Sequence, residues 1–189
     1  QSLKNKDSEP LLMSEHIGAK PGAWEGEARP LFLAPMAGVS DLPFRLLAKA
    51  CGADVTITEF TNSTALSREA AMSWRKMESH ATEIPFIPQI FGGDAGDMAT
   101  AAEMLAPTAD VIDLNFGCPA PKVTKICAGA ALMGEPDNLV SMVEGIIQRV
   151  EIPVSAKMRL GTGLGANNAL EICKDLENIG TSRLCIHGR

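Results

Sequence analysis

From Leu31 onward, short apolar runs alternate along the chain with longer helix-like stretches. Six runs read as β-strands: Leu31 to Met36, Asp54 to Phe60, Pro85 to Phe91, Val111 to Gly117, Pro153 to Leu160 and Arg183 to His187. Five stretches read as helices: Leu42 to Cys51, Ser63 to Met77, Ala95 to Ala106, Asn138 to Val150 and Asn167 to Ile179. The first helix has Ser40 or Asp41 as its N-cap and Pro43 in its first turn, where a missing N–H costs little. Regular alternation of strand and helix is the signature of βα units around a parallel sheet. Strands buried on both faces read as near-continuous apolar runs, and Val-Ile-Asp-Leu-Asn and Phe-Ile-Pro-Gln-Ile are such runs with polar residues toward the C-terminal end. A barrel places its catalytic groups at that end.

Six strands in this order suit a doubly wound open sheet or a (β/α)8 barrel without its last two units. A full barrel takes about 250 residues, which favours the second. The expected fold is therefore an α/β TIM barrel over residues 31–189, truncated after about six βα units, with an open edge through which the chain could self-associate. Residues 1–30 mix Lys, Asp, Glu, Pro and Gly without periodicity and read as a mobile leader.

Composition narrows the class. A chain that is 46% hydrophobic and 21% charged is globular rather than disordered. No apolar stretch approaches the roughly 18 residues of a membrane span, and Gln1 to Pro10 lacks a basic signal region, so a cytoplasmic protein without a membrane partner is expected. Five cysteines without a C-x-x-C pair argue against structural zinc or a disulfide framework, and no metal is expected. The net charge of −6 shows no basic footprint for nucleic acid.

The chemistry concentrates in Asp113-Leu-Asn115-Phe-Gly117-Cys118-Pro119-Ala-Pro-Lys122-Val123. An isolated cysteine is usually a small buried hydrophobe. Here asparagine ends a strand, glycine turns the chain, cysteine occupies the tip and proline stiffens the exit, which places a thiol on the catalytic rim. Lys157 and Arg159 stand two apart on a strand and so share one face, a position that two cations hold only near an anion or water. Gly161-Thr-Gly163-Leu-Gly165 lacks the spacing and lysine of a phosphate loop and reads as a rim loop.

With Ala34-Pro35-Met36-Ala37-Gly38-Val-Ser-Asp41-Leu-Pro43-Phe44-Arg45, the cysteine segment resembles the tRNA-dihydrouridine synthase family. Ala128 to Met133, Lys157-Met-Arg159 and Ile186-His187-Gly188-Arg189 match the same family in order and approximate spacing, so the likeness runs from about Leu31 to the chain end. The resemblance implies an FMN enzyme, reduced by NADPH or NADH, that delivers a hydride to C6 of a uridine in tRNA while Cys118 supplies the proton at C5. Negative charge builds beside the C4 carbonyl in such an addition, so a positioned acid is what the reaction requires. A thiol with a pKa of about 8.5 stays protonated at neutral pH, as a donor must.

The resemblance also distributes further roles. Pro35, Met36 and Ala37 would pack beside the flavin ring, Gln89 would meet its amide edge, and Asn115 would orient flavin or uracil. Lys157 would approach the pyrimidine edge and stabilise the reduced anion, while His187 would meet the ribityl or phosphate region. Arg159 would contact substrate, and Lys122 and Arg45 would meet tRNA phosphate or sugar. Set against that family, the chain is expected to lack the last two strands and a C-terminal helical tRNA-binding domain, and the missing basic surface would account for its acidic charge. Two rival readings stay open: an FMN barrel enzyme acting on a free pyrimidine, like dihydroorotate dehydrogenase, and an inactive truncated fragment.

Overall fold

The computed structural model describes residues 30–163 and 167–188. The leader expected over residues 1–30 lies outside the described residues except for Pro30, as do Gly165 and Arg189. The elements in chain order are β1 (Phe32–Leu33), α1 (Leu42–Ala50), β2 (Val55–Ile57), β3 (Thr61–Asn62), α2 (Ser63–Ser67), α3 (Ala71–Arg75), β4 (Phe86–Ile87) and β5 (Gln89–Phe91). They continue with α4 (Ala95–Leu105), β6 (Ile112–Phe116), α5 (Pro121–Thr124), a 3-10 turn over Gly129–Gly134, α6 (Pro136–Ile147), β7 (Val154–Arg159), α7 (Ala169–Asn178) and β8 (Arg183–His187).

Strand pairing is parallel throughout, in the orders β1-β2-β4 and β3-β5-β6-β7-β8. The second expected strand shortens to β2, with β3 lying just beyond its expected end at Phe60, and the third divides in two. Residues 58–60 separate β2 from β3, and Pro88, which has no N–H for the ladder, separates β4 from β5. Allowing for these breaks, spatial order follows chain order. A doubly wound sheet reverses its order at a switch point, whereas a barrel adds its strands in sequence, so the arrangement is barrel-like. The first and last described strands face one cleft of about 460 Å³, bounded by Phe32, Ala34 and Pro35 on one side and by Arg183 to Ile186 on the other.

Period-two alternation sorts the side chains of β6 and β7. Ile112, Leu114, Phe116, Val154, Ala156 and Met158 join the main apolar core with Met98 and Leu105 of α4, Leu139 and Ile146 of α6, and Ile172 and Leu176 of α7. Apart from Ala156, each of these side chains contributes about 1.5–3 kcal/mol on burial. Asp113, Asn115, Ser155, Lys157 and Arg159 take the alternate positions. The core therefore lies under the helices, and the polar set belongs to the barrel interior.

Local signals explain most helix ends. Asp41 caps α1 by accepting from the Phe44 amide at 3.0 Å. The helix stops where Gly52 adopts φ +102° and the Ala53 amide bonds back to Ala48 O at 3.0 Å. The single helix expected over Ser63 to Met77 is instead two, because the same motif closes α2 without glycine. Glu69 takes φ 55°, its amide bonds to Leu66 O, and the Ala70 amide bonds to Ala65 O. Helix α6 begins at Pro136, two residues before the expected Asn138, since proline suits the first helical position. Among the described residues no helix is long and apolar enough to cross a membrane.

Candidate active site

A cleft of about 250 Å³ opens at the C-terminal ends of the strands, lined by Pro35, Phe60, Asn115, Gly117, Cys118, Pro119, Lys157, Arg159 and His187. It shares Pro35 and Lys157 with the larger cleft of the barrel interior. Strand register assembles it. Asn115 pairs with Lys157 and Lys157 with Cys185, while Arg159 pairs with His187, so an amide, an ammonium, a guanidinium and an imidazole are brought to one rim.

The turn after β6 holds Cys118 by its backbone. Asn115 Oδ1 accepts from the amides of Gly117 at 3.2 Å and Cys118 at 3.0 Å, a side-chain turn characteristic of asparagine. The Cys118 carbonyl in turn accepts from the Ala130 amide at 3.0 Å. Gly129 permits this approach. At φ +59°, a Cβ there would stand 2.6 Å from Cys118 O and 2.8 Å from Val123 Cγ1. The cysteine is half-buried and belongs to the cleft wall.

Behind this wall lies a buried polar network. The Gln89 amide donates to Asp113 Oδ2 at 2.6 Å, and Asn115 Nδ2 donates to Gln89 Oε1 at 3.0 Å. Ser155 Oγ donates to Asp113 Oδ1, and Arg183 stands 4.0 Å from that oxygen. Burial pushes the Asp113 carboxyl above the usual carboxylate range, while the bonds from Ser155 and Gln89 and the charges of Arg183 and Lys157 pull it down.

Of the residues singled out from sequence, Pro35, Asn115, Cys118, Lys157, Arg159 and His187 line the cleft together. Met36 and Ala37 are exposed in the turn that follows β1, where the Met36 amide donates to Ser40 Oγ at 2.9 Å. Lys122 is exposed on α5, directly after the Cys118 turn. Gln89 is fully buried, lines neither cleft and reaches the rim only through Asn115.

Arg45 is a correction. Expected at tRNA, it is 1% exposed and committed to structure. Its guanidinium pairs with Glu83 and donates to Ser40 O at 3.0 Å and Glu78 O at 2.8 Å, which leaves no face for a phosphate. Glu83 lies 38 residues away in sequence, so nothing local announces the pair.

Sequence reading also missed Phe60, which walls the cleft and packs edge-on against Phe91 with ring centroids 5.1 Å apart. An aromatic residue at a strand's C-terminal end was the signal. Asp113 was missed too, although a carboxylate in the middle of an apolar strand is costly unless partnered. Among the described residues no group of three or more His, Cys, Asp or Glu could hold a metal ion.

The family model for dihydrouridine synthase matches residues 32–189. A probable tRNA-dihydrouridine synthase of Rhizobium leguminosarum bv. phaseoli is 42% identical over 158 residues, covering 83% of this chain and 50% of the relative. A counterpart of the same name from Rhodobacter capsulatus is 40% identical over 162 residues, 85% of this chain and 50% of its own length. The tRNA-dihydrouridine synthase B of Proteus vulgaris is 40% identical over 161 residues, 84% of this chain and 50% of the relative. The chain thus spans about half the length of these curated relatives.

Proposed function

The chain belongs to the dihydrouridine synthase family, and from that premise we propose that it carries the catalytic rim of an enzyme that reduces the C5=C6 bond of uridine in tRNA. The observation that carries the proposal is the half-buried Cys118, held by its backbone on the wall of a cleft that Asn115, Lys157, Arg159 and His187 also line.

The lining fits FMN. The two clefts share Pro35 and Lys157 in their walls, and their volumes together fall within the range of small-molecule and cofactor sites, about 300–1,000 Å³. Phe60 and Pro35 offer flat apolar surface for a fused ring, while Asn115, Lys157 and His187 offer donors for its oxygen-rich edge and side chain. Of the residues in the two clefts, Pro35 would pack beside the ring, Lys157 would hold its pyrimidine edge and His187 the ribityl or phosphate region; Met36 and Ala37, exposed in the next turn, would reach it only from the rim. When bound and reduced by NADPH or NADH, FMN supplies the hydride that C6 of the uracil receives.

The protein's own part is acid catalysis and orientation. Cys118 gives its thiol proton to C5 as negative charge develops beside the C4 carbonyl, which completes the addition of hydride and proton across the double bond. Asn115 keeps the Cys118 turn in place, and Arg159 and Lys122 meet the substrate's phosphates or sugars.

The test is to incubate the complete gene product with FMN, NADPH and tRNA that lacks dihydrouridine, then count dihydrouridine by nucleoside mass spectrometry. Formation of dihydrouridine in tRNA is the expected result. Oxidation or reduction of free orotate-type pyrimidines in its place would move the chain to a different reaction.

A further inference from the structure

The two ends of the buried network have fixed hydrogen-bonding character. At one end the backbone N–H groups of Gly117 and Cys118 can only donate, so the Asn115 side-chain oxygen must face them. Its NH2 then faces Gln89, whose oxygen must face back, and the Gln89 NH2 is left pointing at Asp113. At the other end Asp113 accepts through both oxygens, Oδ2 from the Gln89 NH2 and Oδ1 from the Ser155 hydroxyl. Two amides between an acceptor and a donor have one consistent orientation, and both are flipped if the acceptor becomes a donor.

From this we infer that Asp113 is a positioning residue that sets the orientation of the Gln89 and Asn115 amides and thereby holds the Cys118 turn at the cleft. The inference deepens the proton-donor reading of Cys118 and rests on it for its functional meaning. All three side chains of the relay are 8% exposed or less, so water does not substitute for a lost partner.

The geometry also states what a neutral isostere does. Arg183, which can only donate, stands 4.0 Å from Asp113 Oδ1, so in Asp113→Asn the amide oxygen is drawn to that side, where it also receives the Ser155 hydroxyl, and the NH2 turns toward Gln89. Gln89 and then Asn115 flip in response. The Asn115 NH2 now meets the Gly117 and Cys118 amides, donor against donor, and the turn loses its anchor. Moving the carboxylate one place along the relay, in Asp113→Asn with Gln89→Glu, returns an acceptor to Asn115 and restores the original orientation.

The experiment is amide hydrogen exchange by NMR on the complete chain without cofactor or tRNA, with alkylation of Cys118 followed by peptide mass spectrometry. Asp113→Asn is expected to exchange the Gly117 and Cys118 amides about tenfold faster, as for one lost hydrogen bond, and to change the Cys118 alkylation rate. The double variant is expected to return both to the native values. A folded Asp113→Asn with native exchange at both amides overturns the inference, as does a folded double variant that fails to recover, because a purely structural role is not rescued by shifting the charge. Should the single variant not fold, the double variant decides alone. In the unsubstituted protein the Gln89 side-chain NH2 must exchange slowly, and fast exchange there overturns the relay whatever the variants do. Exchange is read without turnover, so failure of the relay and failure of the proton-donor reading are separate results.

Discussion

The guanidinium of Arg183, on β8, lies 4.6 Å from the ring centroid of Phe32, on β1, and so joins the last described strand to the first across the barrel interior. The same group stands 4.0 Å from Asp113, which ties the curl of the sheet to the polar network behind the Cys118 cleft. A cation over an aromatic face contributes about 0.5–2 kcal/mol, depending on how far it is desolvated. Arg183→Ala is therefore expected to lower stability by roughly 1–2 kcal/mol and to speed amide exchange in β1. Unchanged exchange there would show that the two strands are held by other means.

Cys118→Ala is expected to fold normally, to bind FMN and to be reduced by NADPH, while dihydrouridine formation falls by about 10²–10⁴, the usual contribution of a positioned acid. Flavin absorbance and single-turnover product assays separate these steps. Equal product from the variant would remove the thiol from the mechanism.

Glu83→Ala should be one of the most damaging single changes. It strips the partner from an arginine that is 1% exposed and also removes the acceptor of the Thr56 hydroxyl at 2.9 Å. Breaking a buried pair in this way costs about 3–5 kcal/mol, because one charge stays behind unpaired. Denaturant unfolding measures the loss, and a change under about 1 kcal/mol would mean that Arg45 finds water.

Gly129→Ala combines a left-handed backbone with a Cβ 2.6 Å from the Cys118 carbonyl. A non-glycine residue in that conformation costs about 1–3 kcal/mol, and the clash displaces the turn as well. The expected outcome is a lowered melting temperature together with altered Cys118 alkylation. Native reactivity in the variant would show that the turn absorbs the methyl group elsewhere.

The Cys173 thiol, on α7 against the core, has its pKa pushed up by burial and further by the charge of Glu177. The thiolate is the reactive form, so a raised pKa delays alkylation to higher pH. Peptide-level alkylation across pH should give Cys173 a midpoint above that of a free thiol, about 8.5. A midpoint at or below that value would contradict the assignment.

Much of this protein was legible before any coordinates. The alternation of strands and helices, the Asp41 cap and the cysteine turn rest on local propensity and local hydrogen bonds, which neighbouring residues settle among themselves. The break in the helix expected over Ser63 to Met77 escaped because its closing residue is Glu69 rather than glycine. The strand interruption at Pro88 was visible as a proline but not as a sheet boundary.

What the chain alone determined was the order of its elements and the residue types delivered to the strand ends, Asn115, Cys118, Lys157, Arg159 and His187 among them. Tertiary structure decided which of those groups meet. Register across parallel strands placed Asn115 beside Lys157, buried Gln89 against Asp113, and turned Arg45 toward a carboxylate 38 residues distant instead of toward solvent. The physical reason is that hydrogen bonds and ion pairs between distant segments form only once packing of the apolar face has fixed the strands' relative positions, and no local pattern encodes that alignment.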